Sequence, residues 1–294
     1  MKFGLLGEPV GHARSPGMHA AAYRLLGMEG AHSYRAYSTP HDELEARVRD
    51  LRQGRFDGLN VTVPHKVAVI PWLDDLADSA RVTGAVNTLV RQRDGRIIGH
   101  NTDAPALLIE LSRALPETIR PGDVGLVLGS GGAARAAVWA LGELGLERII
   151  VRARSPRADL YVDPLCPGTD EPKLAVIVQA TSAGMKGADP GGSVAAAIDW
   201  ARVSPRAIAY DVVYASARGH ADGSTPFLEA ARARGLTARD GYGMLSGQAA
   251  LALSLWLEMP PPFAIMRAAL DEAKDSGHNP SSSAMRVAAR VAES

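Results

Sequence analysis

Val124-Gly125-Leu126-Val127-Leu128-Gly129-Ser130-Gly131-Gly132-Ala133-Ala134-Arg135-Ala136 is the stretch on which the fold turns. An apolar run short enough for a buried strand breaks at a glycine turn, which opens into an alanine-rich helical pattern through about Leu144. From Gly129 the spacing is G-x-G-x-x-A. Gly129 permits a tight turn, Gly131 lets backbone approach a pyrophosphate, and Ala134 is small enough for close helix-to-strand packing. The free N–H groups and the positive dipole end of the helix then face the phosphates.

Glycine turns between strands and helices are common, so the surroundings decide the reading. A second apolar run, Ile149-Ile150-Val151, follows one helix length later, as a βαβ unit requires. Where a dinucleotide unit selective for NAD carries Asp or Glu, this chain has Arg152, Ala153, Arg154 and Arg157. Arginines at that place favour a ribose bearing a 2′-phosphate, and hence NADP, over a solvated strand end.

The 294 residues suffice for two domains with separate cores. With 32 basic and 32 acidic residues the formal net charge is zero, which argues against nucleic acid or an anionic membrane as partner. A single cysteine, Cys166, has no internal partner for a disulfide and suits a reducing compartment. No apolar run reaches membrane-spanning length, and Gly, Glu and Pro interrupt the N-terminus before a signal core could form, so a cytoplasmic location is expected. No metal site is expected.

Upstream, Phe3 to Leu6 reads as a strand, and Ser15-Pro16 as a helix start with serine capping and proline in first place. Ser33 to Tyr37 alternates like a strand, and Asp42 to Gln53 is a charged amphipathic helix. In Asn60-Val61-Thr62-Val63-Pro64-His65-Lys66 a β-branched strand stops at proline, leaving Lys66 near the start of a following helix, at the dipole end that disfavours a cation. Ala85 to Val90 and Arg96 to Ile98 form a hairpin pattern across Arg93-Asp94-Gly95. Asp103, after Gly99-His100-Asn101-Thr102, is placed to cap a helix from Ala104, with Pro105 in its first turn. Downstream, Leu174 to Val178 and Ala207 to Val213 read as buried strands, Thr225-Pro226 as a helix start, and Gly241 as the entry to a long apolar helix carrying Gln248 and Trp256.

These motifs resemble the shikimate dehydrogenase family. The matching stretches are HARSP at 12 to 16, NVTVPHK at 60 to 66, GAVNTL at 84 to 89, GHNTD at 99 to 103, GSGGAAR at 129 to 135, DVVY at 211 to 214 and GYGMLSGQAA at 241 to 250, in family order over most of residues 3 to 260. The resemblance implies an α/β fold in three parts: a substrate domain over 1–103, a Rossmann-like NADP domain over 104–239, and helices over 240–275 that pack on the first domain. Residues 276–294 read as a loose tail.

It further implies reversible, NADP-dependent reduction of 3-dehydroshikimate to shikimate, a step of aromatic amino acid biosynthesis, in a monomer or homodimer. Lys66 and Asp103 are the implied catalytic pair, and Ser15, Thr62, Asn87, Tyr214 and Gln248 the implied contacts to a cyclic polyhydroxy carboxylate. Gly129, Ser130, Gly131, Gly132, Ala133, Arg152, Arg154, Thr181, Val212 and Gly241 are the implied cofactor contacts. The chemistry needs such a pair: as hydride leaves the alcohol carbon the hydroxyl must shed its proton, and a lysine beside a carboxylate can take it and give it back. Each residue also has a structural reading: Ser15 and Asp103 as helix caps, Asn87 as a strand-end partner, Gln248 as a helix-face polar residue, and Lys66 as a surface lysine.

Four departures stand out. The family's S-x-S before the proline has Ala13 in first place, which removes a hydroxyl from the carboxylate site, and loss of a hydrogen bond to a charged group costs about 1.5 to 3 kcal/mol. The NADP-reading segment is one residue short, and Ala106 stands where the family has glycine. Residues 215–224 also lengthen the loop near Tyr214. Ala13 therefore leaves room for a quinate or aminoshikimate dehydrogenase, or for a catalytically weak paralogue that only binds NADP and a carboxylate.

Overall fold

A computed structural model describes residues 1–11, 13–115, 119–153, 173–185, 188–214 and 224–275. In chain order its first elements are β1 (Lys2–Gly7), α1 (Ser15–Leu25), β2 (Ser33–Ser38), α2 (Leu44–Arg52), β3 (Gly58–Val61), β4 (Asp75–Leu76), α3 (Asp78–Thr83), β5 (Thr88–Arg91), β6 (Ile97–His100) and α4 (Asp103–Ala114). Then follow β7 (Val124–Leu128), α5 (Gly132–Glu143), β8 (Arg148–Arg152), β9 (Leu174–Gln179), α6 (Gly192–Ala196), β10 (Val203–Asp211), α7 (Pro226–Arg232), β11 (Thr237–Arg239), α8 (Tyr242–Leu257) and α9 (Phe263–Asp275). The chain divides into two compact units. One holds Met1–Ala80, Val86–Thr102 and the described residues from Ser246 on, and the other holds Arg81–Ala85 and Asp103–Leu245.

The first unit is built on a six-stranded mixed sheet in the order β2-β1-β3-β5-β6-β4. β1 pairs in parallel with both β2 and β3, and the pairs β3–β5 and β5–β6 are antiparallel. One apolar cluster gathers Leu6, Leu59, Val61, Leu89 and Ile97 from the strands with Leu44, Val48 and Leu51 of α2. Elsewhere in the unit, Trp256 of α8 stacks on Phe3 with ring centroids 4.7 Å apart and donates its indole N–H to the Leu89 carbonyl at 3.0 Å. An indole buried this way keeps its apolar area and leaves no polar atom unpaired. Of the leucine stripe on that helix, Leu253 is buried, while Leu251 and Leu255 are half-buried.

The second unit carries five strands, all parallel, in the order β11-β10-β9-β7-β8. Val124, Leu126, Leu128, Ile150 and Ile177 form its core with Phe227, Leu228 and Ala231 of α7. Thr225 caps α7 by accepting from the Leu228 amide at 3.3 Å, and Pro226 follows in the first turn, as Thr-Pro predicts. From β7 the chain winds to β8 on one side and then crosses to β9 on the other. This creates a switch point at the C-terminal ends of β7 and β9, where open α/β sheets bind ligands.

Several local expectations change. α1 begins at Ser15 with Arg14 in the cap position and no side-chain cap, so Ser15 is the first helical residue rather than the cap. α4 likewise starts at Asp103 itself, whose carboxylate stands in the first turn, where the dipole favours it. No α-helix begins at Lys66: residues 63–69 form consecutive turns leading into a single 3₁₀ turn, Ile70–Trp72, so the dipole of a directly following helix does not act on that lysine. The charged helix splits into a 3₁₀ turn, His41–Glu43, and α2. The expectations for Arg154, for the loose tail and for most of the 215–224 loop concern residues outside those described.

Candidate active site

In the first unit Thr62, Lys66 and Asn87 sit on segments beside strand ends that backbone bonds tie together. The Thr62 amide donates to the Leu6 carbonyl at 2.8 Å, which fixes the chain as it leaves β3. The Lys66 carbonyl accepts from the Val86 amide at 2.7 Å. One residue on, Asn87 is only 2% exposed, and its Oδ1 accepts from the Thr102 amide at 2.7 Å. Consecutive residues at the entrance to β5 thus hold both Lys66 and the residue before Asp103. Asn87 Nδ2 donates to Thr102 Oγ1 at 2.9 Å and reaches Gln248 Oε1 at 3.5 Å, so Gln248 joins the same cluster.

Beneath this cluster lies a buried polar layer. Asn60 Nδ2 donates to the Asn87 carbonyl at 3.1 Å and to Thr88 Oγ1 at 3.0 Å, while Asn60 Oδ1 accepts from the Tyr34 hydroxyl at 2.8 Å. A network with its members mutually satisfied is rigid in a low-dielectric interior. Asn60, Thr88 and Thr102 were not singled out from sequence. Their signal was a polar residue inside or beside an apolar strand in motifs already quoted, since buried polar groups need assigned partners. Ser15 is buried within the unit at the start of α1, and Lys66 and Thr62 are half-buried.

In the second unit the expected cofactor residues gather at the switch point. Gly129 has φ +125°, and a Cβ there would lie 2.8 Å from the Ala180 carbonyl oxygen, so the turn after β7 is packed against the loop after β9. The Gly129 amide donates to the Arg152 carbonyl at 2.8 Å, and the Ala180 amide to the Leu128 carbonyl at 2.8 Å. Gly131 is exposed, and a Cβ on it would meet nothing within 4 Å among the described residues, so this face of the loop is open. The N-terminus of α5 at Gly132 has no side-chain cap. Open backbone before an uncapped helix start is the arrangement that receives a pyrophosphate, and the residues present fit a dinucleotide.

The rest of the expected set lies on neighbouring loops of the same unit. Gln179, 1% exposed, organises the loop after β9: its Oε1 accepts from the Thr181 amide at 2.5 Å, and its Nε2 donates to the Ala183 carbonyl at 2.9 Å. The Gln179 carbonyl accepts from the Val212 amide at 2.9 Å, and the Gly241 amide donates to the Val213 carbonyl at 3.3 Å. Thr181, Val212 and Gly241 are therefore linked through two strand ends. Tyr214 lies near Tyr242, with ring centroids 5.9 Å apart. Arg152 Nη1 donates to the Ala197 carbonyl at 2.7 Å, so part of that guanidinium ties down the end of α6.

Asp211, the last residue of β10, is fully buried. Burial pushes its carboxyl up to about 7, although the Thr225 hydroxyl donates to it at 2.6 Å and the Val213 amide at 2.9 Å. Neither Asp211 nor Gln179 was expected as a site residue. Among the described residues no group of three or more His, Cys, Asp or Glu is placed to hold a metal, and no helix is long and apolar enough to cross a membrane.

Comparison with known proteins bears on this arrangement. Residues 5–89 match the family model described as the shikimate dehydrogenase substrate binding domain, and residues 241–270 that of the shikimate 5′-dehydrogenase C-terminal domain. The shikimate dehydrogenase (NADP(+)) of Methylobacterium radiotolerans is 39% identical over 87% of this chain and 91% of its own. Shikimate 5-dehydrogenase of Thermus thermophilus, solved with NADP(H) and shikimate, superposes with a TM-score of 0.75 at 36% identity, covering 93% of this chain and 99% of that one. The ligand-free 5-ketofructose reductase of a Gluconobacter species gives 0.69 at 26% identity, covering 92% and 98%.

Proposed function

We propose that this chain, which belongs to the shikimate dehydrogenase family, interconverts 3-dehydroshikimate and shikimate with NADP. The observation that carries the catalytic assignment is the clamp at β5: Val86 holds the carbonyl of Lys66, and Asn87 holds the amide of Thr102, the residue before Asp103. Bound NADP would supply the nicotinamide that exchanges hydride with the alcohol carbon. The Gly129–Ala133 backbone would hold its pyrophosphate, Arg152 and Arg154 its 2′-phosphate, and the loops at Thr181, Val212 and Gly241 its nicotinamide half.

Lys66 Nζ takes the proton from the substrate hydroxyl in the oxidative direction and returns it to the carbonyl oxygen in the reductive one. Asp103 binds a neighbouring substrate hydroxyl and orients the amine. Asn87, Thr62, Tyr214 and Gln248 bind ring hydroxyls, and Ser15 the carboxylate. With zero net charge and one cysteine, the protein is read as a cytoplasmic enzyme, monomeric or homodimeric, with no nucleic-acid partner.

Ala13 favours a second reading. It contributes no hydroxyl beside Ser15, so the carboxylate is held by fewer donors, and quinate or an aminoshikimate becomes a competing substrate. The likeness to a 5-ketofructose reductase supports a pocket that accepts other polyols. Steady-state turnover of shikimate, quinate and aminoshikimate with NADP and NAD, followed by nicotinamide absorbance, separates the readings. Lys66→Ala is expected to lower kcat by about 1,000-fold and leave NADP affinity within about 2-fold. Undiminished turnover in that variant would remove the assignment of Lys66, and NADP binding without turnover of any of these acids would leave the binding paralogue.

A further inference from the structure

We propose that His65 is a positioning residue for Lys66, fixing the turn that carries the lysine through a side-chain bond to the end of β2. This rests on the catalytic reading of Lys66. The His65 imidazole is fully buried, and its Nε2 lies 2.6 Å from the Thr39 carbonyl oxygen. A carbonyl only accepts, so Nε2 carries the hydrogen and donates it. Nδ1 is buried with no hydrogen-bond partner among the described residues, so the ring is held by one bond and by packing.

The acceptor is itself immobile. Thr39 is fully buried, its amide donates to the Gly7 carbonyl at 3.0 Å, and its hydroxyl donates to the Tyr37 carbonyl at 3.0 Å. Through Thr39 the imidazole links the turn after β3 to the ends of both β1 and β2. Backbone bonds complete the turn: the His65 amide donates to the Thr62 carbonyl, and the Val69 amide to the His65 carbonyl, each at 2.9 Å. With the Lys66 carbonyl bound to Val86 on its far side, the lysine is clamped between the end of β2 and the entrance to β5. The imidazole acts on the lysine through backbone placement. A displacement of about 1 Å in a catalytic group costs on the order of 100-fold in rate.

The test compares the parent protein with His65→Phe, His65→Asn and His65→Gln. His65→Phe keeps a ring and removes the donor, and kcat for shikimate oxidation is expected to fall about 50-fold with the shikimate KM within about 3-fold. His65→Gln restores an N–H donor of similar reach and should return kcat to within about 5-fold of the parent, with the shorter His65→Asn in between. A lower melting temperature with unchanged kcat in His65→Phe, or no rescue by glutamine, would overturn the proposal. If His65→Phe does not fold, the asparagine and glutamine variants carry the same ordering.

A second readout does not depend on turnover: the rate at which an amine-reactive reagent labels Lys66, followed by peptide mass spectrometry, with exposed Lys2 and Lys173 as internal references. Several-fold altered labelling of Lys66 alone in the phenylalanine and asparagine variants is expected, and parent-like labelling overturns the proposal. A parent protein that turns over none of the acids tested, yet shows the labelling change, would refute the proposed activity and leave the positioning role standing.

Discussion

In the first unit Asn60 sits inside β3 and Thr88 opens β5, and with Asn87 and Thr102 they form a buried, mutually bonded layer. In the second unit β7 is buried throughout and apolar, and the buried polar residues Gln179 and Asp211 are the last residues of their strands. The first unit places its candidate side chains just outside its strands, on the segments after β3 and before β5 and on two helices. The second places its chemistry on backbone at strand ends, where Gly129 leaves no room for a Cβ and Gly131 leaves one face open. A mixed sheet with polar pairs inside can present lysine and amide groups to a polyol. A parallel sheet with an apolar central strand leaves its C-terminal loops free to present N–H groups to phosphate.

The largest effect expected of this contrast comes from adding a methyl group to the second unit. Gly129→Ala forces a side chain into a positive-φ turn against the Ala180 carbonyl, and NADP affinity measured by calorimetry should fall by about 1,000-fold. Gly131→Ala meets no atom of the described residues, so it should leave the melting temperature unchanged while still weakening NADP by about 10-fold or more. Parent-like NADP binding in Gly131→Ala would break the view that backbone approaches the nucleotide there.

The first unit should respond to loss of a side-chain partner instead. Asn60→Ala leaves the Tyr34 hydroxyl and the Asn87 carbonyl without these bonds, a cost of about 3 kcal/mol in urea unfolding, with NADP affinity unchanged. A loss under about 1 kcal/mol would mean that water replaces the amide and that the layer is not sealed.

The smallest effects sharpen the comparison through pH. Asp211, raised from 3.8 to about 7 by burial, stays protonated in the folded state while the unfolded chain ionises, so its contribution to stability falls as pH rises across that window. In the first unit His19 is fully buried, neither ring nitrogen has a hydrogen-bond partner among the described residues, and it is lowered from 6.5 to about 3, again by burial. The unfolded chain then binds the extra proton first, and stability is lost as pH falls below about 6.5. Relative to the parent, Asp211→Asn should gain about 2 kcal/mol between about pH 5 and pH 7, and His19→Leu should gain about as much between about pH 6.5 and pH 5. Stability that varies with pH identically in parent and variant would dismiss the corresponding group.

The βαβ unit was readable because its period is local: five apolar residues, a glycine turn, an alanine-rich helix and a second apolar run leave few alternatives. The hairpin around Asp94-Gly95 and the Thr225-Pro226 helix start were readable for the same reason, and the structure has both. Short elements escaped: β4 has two residues and β11 three, too few to show a pattern, and they exist because a sheet edge was available to pair with them. The sequence reads Ser15 as a cap and Lys66 as the start of a helix, and the structure has neither, since cap geometry and the turns after Pro64 depend on what the chain meets next. Two side-chain partners of Asn87 lie 15 and 161 residues away, at Thr102 and Gln248, beyond any local window.

Residue order alone determined that a glycine loop would stand between a buried strand and a helix, with arginines after the next strand, because those features follow from backbone preference and apolar spacing over a few residues. Only the tertiary structure decided that Val86 and Asn87 would hold Lys66 and Thr102, and that the His65 ring would find the Thr39 carbonyl. Those bonds join segments distant along the chain, and they form where folding has removed water and left the polar atoms one another as partners.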